Sequence, residues 1–349
     1  MVKIKGAEEI RNLVKKLPLE QRRIFSITAH IDHGKSTMCD FLLARAGLMS
    51  HELAGEKRMT DYDEEEQKRI ITIFTTVVNL LYKYEGKEYL IQLNDTPGHI
   101  SFTGEVSRAI RASDGIILLV DAVEGVMTQT ITNLKLALKE GCKPVLYINK
   151  VDRLISELRL SPQEVITRID GIIREVNKLI EAHAPEQFRG SWKVNFAQGS
   201  VAIGSAKDGW GFTYDILKKK FADPREGYME IFKRYANGDV DWLREHLPLD
   251  EAILEMVIKH LPNPKEAQKY KIEAIWRGVK DLDVYDALIN VDAGGPLVGM
   301  ITKIFVHPKT FQTALIGRVW SGTLRGDSEL YLLSKGSTAR PHRLGVMEI

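Results

Sequence analysis

The sequence predicts an α/β domain with helices on both faces of one sheet, an inserted subdomain, and then part of a β-barrel domain. Three observations predict it. Short apolar runs at 23–29, 73–84, 89–94, 116–121 and 145–149 alternate with segments of helical spacing at 36–46, 104–112, 129–140 and 161–183, the order that builds helices onto a central sheet. The rhythm breaks over 207–249, where Gly209, Gly211, Gly227 and Gly238 fall and no strand–helix alternation is visible. After Leu297 the pattern changes to short β runs separated by turn residues, as at the start of a barrel.

In chain order, 1–19 reads as an N-terminal segment with a short amphipathic helix over 7–16. The main domain covers 20–206. Its first strand carries Ile24, Phe25 and Ile27, a Gly-Lys turn follows, and Met38, Phe41, Leu42 and Ala44 then mark a helix. Strand, loop, helix is the order that places backbone N–H groups around a phosphate. The insertion spans 207–249, and a final helix of the main domain is expected at 250–262. Pro262, Pro264 and the turn Gly294-Gly295-Pro296 mark 263–296 as a linker. The barrel begins at 297–349, with strands expected at 298–306, 313–320 and 328–333 and turns at Gly322 and Arg325-Gly326-Asp327. The barrel reads as unfinished at Ile349. There is no repeat and no low-complexity tract.

Composition narrows the class without naming it. The chain has 349 residues, too many for one ordinary core, so two domains are expected. It is 44% hydrophobic and 28% charged, with a net charge of +2, so it reads as a globular protein with no overall bias toward nucleic acid. Clusters of Lys and Arg read as solvated helix faces. Cys39 and Cys142 stand in apolar contexts without ligand spacing and read as small core residues, which fits a reducing compartment. The five tryptophans read as packing residues. Lys3 and Lys5 are not followed by a long apolar run, and the longest clean run is 116–120, so a cytoplasmic protein without a membrane span is expected.

Four motifs carry the chemistry, each at the end of a strand, where ligands bind in such sheets. Ala29-His30-Ile31-Asp32-His33-Gly34-Lys35-Ser36-Thr37 matches G-x-x-x-x-G-K-[ST] except for Ala29 at the first glycine. Gly34 lets the backbone turn inward, Lys35 brings a charge to the β and γ phosphates, and Ser36 offers a hydroxyl to Mg²⁺. Asp95, before Thr96-Pro97-Gly98-His99, can hold Mg²⁺ through water, and Gly98 permits a close backbone approach to the γ phosphate. Asn149-Lys150-Val151-Asp152 places a carboxylate where guanine N1–H and its 2-amino group can donate to it. Adenine would leave that charge unpaired, which is costly when buried. The loop Ser205-Ala206-Lys207 can offer backbone N–H groups to guanine O6. Each motif alone has a bland reading as a turn; their order along the chain does not.

The forms Asp32-His33-Gly34-Lys35 and Pro97-Gly98-His99 resemble those of the translational GTPases. The stretches 120–127, Gln129-Thr130, 149–154 and 256–270 are similar to the elongation factor 2 family, from about residue 20 to the end. The resemblance implies a P-loop GTPase domain that binds GTP or GDP with Mg²⁺ and hydrolyses GTP on the ribosome to promote translocation. It implies that Thr72 joins Ser36 and Asp95 at the metal, that His99 orients the attacking water beside Lys35 and Thr72, and that a monovalent cation sits near Asp32. The implied partners are ribosomal RNA and factor-binding proteins, with the protein acting as a monomer. His30 and His33 are read as loop residues without direct chemistry.

Three positions depart from the family pattern: Ile70 for a glycine before Ile-Thr-Ile, Asn94 for an aliphatic residue before the Mg²⁺ aspartate, and Ser101 for an aspartate after Gly98-His99. A β-branched Ile70 cannot visit positive φ as glycine can. The departures raise an alternative, a paralogue that binds the ribosome as a regulator in dormancy, recycling or biogenesis with slow turnover. A factor of another translation branch is a further rival, against which 256–270 argues.

Overall fold

Strand β4 (Gly115–Asp121) is buried along its whole length, as expected of a parallel strand covered on both faces. A computed structural model describes residues 15–45, 76–95, 103–306, 313–325, 329–332 and 340–343. Contacts divide the described residues into two units, 17–275 in the first and those from 276 onward, with Lys15 and Lys16, in the second.

The first unit is built on a seven-stranded sheet ordered β2-β3-β1-β4-β5-β6-β7. Its strands are β1 (Arg22–Ala29), β2 (Thr76–Tyr84), β3 (Lys87–Asp95), β4, β5 (Lys143–Asn149), β6 (Val201–Ser205) and β7 (Trp210–Thr213). Strands β3, β1, β4, β5 and β6 run parallel, and β2 and β7 are antiparallel edges. The strands expected at 23–29, 89–94, 116–121 and 145–149 are all present, and so is the described part of 73–84. Because β1 lies between β3 and β4, the strand order reverses beside it, and a crevice opens there at the carboxyl ends.

The strand period of two divides the core between the faces. Ile116, Leu118 and Val120 of β4 join Leu146 and Ile148 of β5 on one side. That side is covered by α2 (Thr103–Ala112), α3 (Thr128–Lys139) and α5 (Pro162–His183). Ile117 and Leu119 face the other way with Phe25, Ile27 and Tyr147. There they meet α1 (Lys35–Arg45) and α9 (Leu249–His260). Between these lie α4 (Val151–Ser156), α6 (Tyr214–Lys220), α7 (Pro224–Ala236) and α8 (Val240–His246). Trp192, Trp210, Cys39 and Cys142 are buried, and neither cysteine is in a disulfide. No helix among the described residues is long and apolar enough to cross a membrane.

Two parts of the expected organisation differ. The segment 207–249 does not leave the sheet at its start, because β7 closes the sheet edge against β6 before the three helices α6, α7 and α8. Gly204 and Gly211 face each other in this pair. A Cβ on Gly204 would lie 2.7 Å from Gly211 Cα, so the glycines that hide the strand from pattern reading are what allow it to pair. The linker expected at 263–296 begins with a helix, α10 (Pro264–Ile275). Asn263 Oδ1 accepts from Glu266 N at 3.0 Å, and Asn263 N donates to Glu266 Oε2 at 3.2 Å. Pro264 thus stands at the first helical position of a reciprocal cap, where its missing N–H costs nothing.

Helix α10 also explains residues with no evident role in sequence. Lys271 is fully buried. Its amino group donates to the carbonyls of Ser113 at 2.5 Å, Glu140 at 2.9 Å and Ile110 at 3.3 Å. These carbonyls lie at the ends of α2 and α3, where helix carbonyls lack intrahelical partners and carry partial negative charge. Ser113 is the hub of a polar knot. Its hydroxyl donates to Ala109 O and accepts from Ser26 Oγ at 2.7 Å and from Asn94 Nδ2 at 2.8 Å. Asn94, an aliphatic position in the family pattern, is therefore satisfied by a network joining β3, β1 and the end of α2.

In the second unit, α11 (Asp283–Asn290) precedes the antiparallel hairpins β8 (Val298–Val306) with β9 (Thr313–Ser321), and β10 (Glu329–Leu332) with β11 (Arg340–Arg343). Gly322 turns at φ +74 and donates to Asp292 O at 2.7 Å. These hairpins make part of a β domain, and the expected strands 298–306 and 313–320 are in place.

Lys271→Met should leave Ser113 O and Glu140 O without their lysine donor inside the core, and urea denaturation should show a loss of about 2–4 kcal/mol. A stability within about 0.5 kcal/mol of wild type would show that Lys271 is not a structural clamp.

Candidate nucleotide-binding site

The loop after β1 sits in the crevice made by the reversal of strand order. Asp32 and Gly34 have φ +62 and +96, so the loop needs left-handed residues at both places. Gly34 O accepts the first helical bond of α1, from Met38 N at 3.0 Å. The first turn of α1, with Lys35, Ser36 and Thr37, therefore points its N–H groups into the loop. Lys35 is buried, Ser36 and Thr37 are half-buried, and Asp32 is exposed. Ala29 ends β1 and is buried, while His30 and Ile31 are half-buried.

One side chain ties the loop to the two base-side motifs. Asn149 Nδ2 donates to His33 O at 2.7 Å. Its Oδ1 accepts from Ala206 N at 2.8 Å and from Tyr147 Oη at 3.0 Å. A Cβ on Gly34 would lie 2.3 Å from Asn149 Nδ2, so the glycine is also what lets the asparagine approach. The N–H of Ala206 is thus directed at Asn149 and not at an open base site, a difference from the expectation that Ala206 serves O6 directly. Ser205 Oγ donates to Asp208 Oδ2 at 3.2 Å, and Lys207 is exposed.

Asp152 lies in the first turn of α4, which starts after Lys150 in the left-handed region at φ +62. The residue is only 5% exposed, and Oδ1 has no hydrogen-bond partner among the described residues. Burial pushes the Asp152 carboxyl above its ordinary value; the nearby Ser205 hydroxyl opposes this and the Asp208 carboxylate adds to it. Asp121, at the end of β4, is the contrasting acid. Burial pushes it up, but Lys150 Nζ at 2.8 Å and the N–H groups of Val123 and Glu124 outweigh burial and leave it below the ordinary value. Lys150 is therefore a brace on Asp121, and Arg153 stands 3.7 Å from the same oxygen.

His33 is fully buried. Its Nδ1 accepts from Asp121 N at 3.3 Å, which places the proton on Nε2, 3.1 Å from Glu124 Oε2. Burial holds the imidazole below its usual value, against the pull of Asp121, so it is a neutral pin between loop and β4, in line with its reading as a residue without direct chemistry. Sequence reasoning missed Asp121 and Glu124 as members of the site. An aspartate ending a wholly apolar strand was the available signal.

Asp95 ends β3 opposite Ile27 of β1, which brings its backbone to the same crevice. Thr72, Gly98 and His99, like Ile70 and Ser101, lie outside the described residues. No cluster of three or more His, Cys, Asp or Glu suited to a metal occurs among the described residues. Ser36 on α1 and the backbone of Asp95 are the expected metal positions that fall within the described residues.

A phosphate loop at the reversal of strand order, an asparagine latch to the base-side loops and a buried acid with one oxygen left unpartnered define a P-loop GTPase, with part of a β domain after it. The chain belongs to the elongation factor Tu GTP binding domain family, which it matches over residues 20–263. It is 47% identical over 341 residues to elongation factor 2 of Pyrococcus abyssi and 48% identical over 341 residues to that of Thermococcus onnurineus, in each case over 97% of this chain and 46% of the relative. It is 47% identical over 346 residues to elongation factor 2 of Archaeoglobus fulgidus, over 99% of this chain and 46% of the relative. The chain spans about half the length of these relatives. The regulatory-paralogue alternative finds no support among them.

Without nucleotide, an ionised Asp152 is a cost to the fold. A carboxyl whose pKa is raised by folding favours the fold at low pH, and that contribution is lost as pH rises through the raised value. Asp152→Asn should therefore raise the melting temperature of the nucleotide-free protein at pH 7.5, with the gain over wild type shrinking toward pH 4. Calorimetry showing a lower melting temperature for the variant at pH 7.5 would contradict this account of the site.

Proposed function

We propose that this chain is the GTP-binding and GTP-hydrolysing part of a translation factor of the elongation factor 2 type, acting as a monomer on the ribosome in the cytoplasm and promoting translocation. The observation that carries the reading is the unpartnered Asp152 Oδ1, buried beside a loop latched by Asn149. Guanine supplies two donors to such a carboxylate and adenine does not, so the unsatisfied acceptor is a selectivity element. The loop 29–37 would hold the phosphates through its N–H groups and Lys35, with Gly98 near the γ phosphate. Ser36 and Thr72 would hold Mg²⁺, with Asp95 behind them. The metal would offset charge on the β and γ phosphates. His99 would orient the attacking water once the ribosome docks. The similarity to factors named elongation factor 2 supports the translational setting.

Isothermal calorimetry should give GDP at least about a hundredfold over ADP. Asp152→Asn should lose GDP and gain XDP, whose altered edge suits the amide. Equal affinity of the wild type for GDP and ADP would remove the proposal's foundation.

A second measurement addresses turnover. His99→Ala should keep GDP affinity within about twofold and slow ribosome-stimulated hydrolysis by roughly a hundredfold or more, because its role is with the water and not with ground-state binding. An unchanged stimulated rate would take His99 out of the reaction.

A further inference from the structure

Helices α7 and α8, after β7, reach back to the base-reading loop, and they do so through one residue. Asp208 follows Ser205-Ala206-Lys207. Its Oδ2 accepts from Ser205 Oγ at 3.2 Å, and its own N–H donates to Ser205 Oγ at 3.2 Å. This closes a tight local turn around the serine. Two side chains from outside the loop hold that turn. Tyr235, on the last turn of α7, donates its hydroxyl to Asp208 Oδ2 at 3.0 Å. Arg244, on α8, donates Nε to Asp208 O at 3.1 Å. The next residue, Gly209, accepts from Leu249 N at 3.1 Å, and Phe41 of α1 fills the space where its Cβ would be. The turn is thus held at the aspartate carboxylate, at the aspartate carbonyl and at the following carbonyl, each by a different helix.

We propose that Tyr235 and Arg244 are positioning residues for guanine recognition, acting through Asp208, so that the segment 214–246 sets how firmly the 205–207 loop reads the base. The proposal rests on the GTP-binding reading above. Hydrogen bonds to a charged acceptor are the stronger kind, and a half-buried tyrosine hydroxyl fixes the carboxylate with few freedoms of its own. A loop held at three points can present the Lys207 N–H to O6 without first ordering itself, while the Ala206 N–H stays with Asn149, and such preorganisation appears as affinity and selectivity. Losing the hold leaves the loop in place but lets it drift, so discrimination at O6 weakens more than at the 2-amino edge, which Asp152 reads from α4. Tyr235 also packs its ring against Trp210 with centroids 5.7 Å apart, so Tyr235→Phe keeps the packing and removes the hydroxyl, with its hydrogen bonds to Asp208 and Ser156.

The test uses the 349-residue chain and four ligands: GDP, ADP, IDP, which lacks the 2-amino group, and 6-thio-GDP, whose sulfur is a poor acceptor at the O6 position. For Tyr235→Phe the expected result is GDP binding weakened about five- to tenfold and a GDP-to-6-thio-GDP preference reduced by a similar factor. The GDP-to-IDP preference should fall by clearly less than the GDP-to-6-thio-GDP preference, and the melting temperature should stay within about 2 °C of wild type. Arg244→Met, at an exposed position, should show the same pattern more weakly and guards against a Tyr235 variant that fails to fold. Asp208→Ala should show the full loss, and adding Tyr235→Phe to it should do nothing further, because both act on one contact. Wild-type affinity and preferences in Tyr235→Phe, or losses that simply add with Asp208→Ala, overturn the proposal while leaving the GTP-binding reading standing. An equal loss for all four ligands with a falling melting temperature assigns Tyr235 to packing alone and also overturns it. A wild type that does not separate GDP from ADP overturns the GTP-binding reading itself.

Discussion

Asn149 is the constraint around which the site is assembled. It is a buried amide whose donor and acceptor are both engaged, with His33 O on one side and Ala206 N and Tyr147 Oη on the other. An asparagine in a dry site costs free energy unless its groups are paired. This one therefore enforces the relative placement of three segments far apart in sequence. Its position at the end of β5, between β4 and β6 and one strand removed from β1, lets it span from the phosphate loop to the base side. Gly34 and Asn149 constrain each other: the glycine has no side chain because the asparagine needs the space, and its positive φ turns the loop inward.

The two buried acids near that latch show how one fold sets opposite electrostatic roles. Asp121 is enclosed by Lys150, Arg153 and two backbone donors. Asp152 is enclosed without a full set of partners and lies near a second carboxylate, Asp208. A paired acid contributes rigidity, while an unpaired one stores free energy that a matching ligand can release. The lysine of the Asn149-Lys150-Val151-Asp152 motif serves the first acid, and its left-handed backbone aims the second. The motif therefore joins a structural half to a recognition half, which its spacing alone does not reveal.

What was legible in the sequence followed physical period. Strands β1, β3, β4 and β5 and helices α1, α3 and α5 announce themselves by apolar spacing, and the motifs fall where those strands end. Strand β7 was not legible because facing glycines, which close strand pairing requires, erase the alternation that identifies a strand. Helix α10 was obscured by Pro264, a breaker in a helix interior but a natural first residue. Asn94 looked like a defect in an apolar strand because its partners, Ser113 and through it Ser26, are distant in sequence. Asp208 and Tyr235 carry no motif at all, and their connection exists only once α7 has folded back. The local signals of the site were thus readable, and the long-range polar contacts that hold it were not.

The two cysteines lie on opposite sides of the sheet. Cys39 is packed with Phe25, Ile27 and Leu254, and Cys142 with Ile110, Leu138 and Leu146. Both thiols are fully buried, and burial raises the Cys142 thiol further out of the reactive range. A thiol-specific reagent therefore meets each only when its own layer opens. The chain carries two internal reporters of local unfolding, one on the layer with the phosphate-loop helix and one on the layer clamped by Lys271. Their labelling rates would resolve whether the two layers breathe together or one at a time.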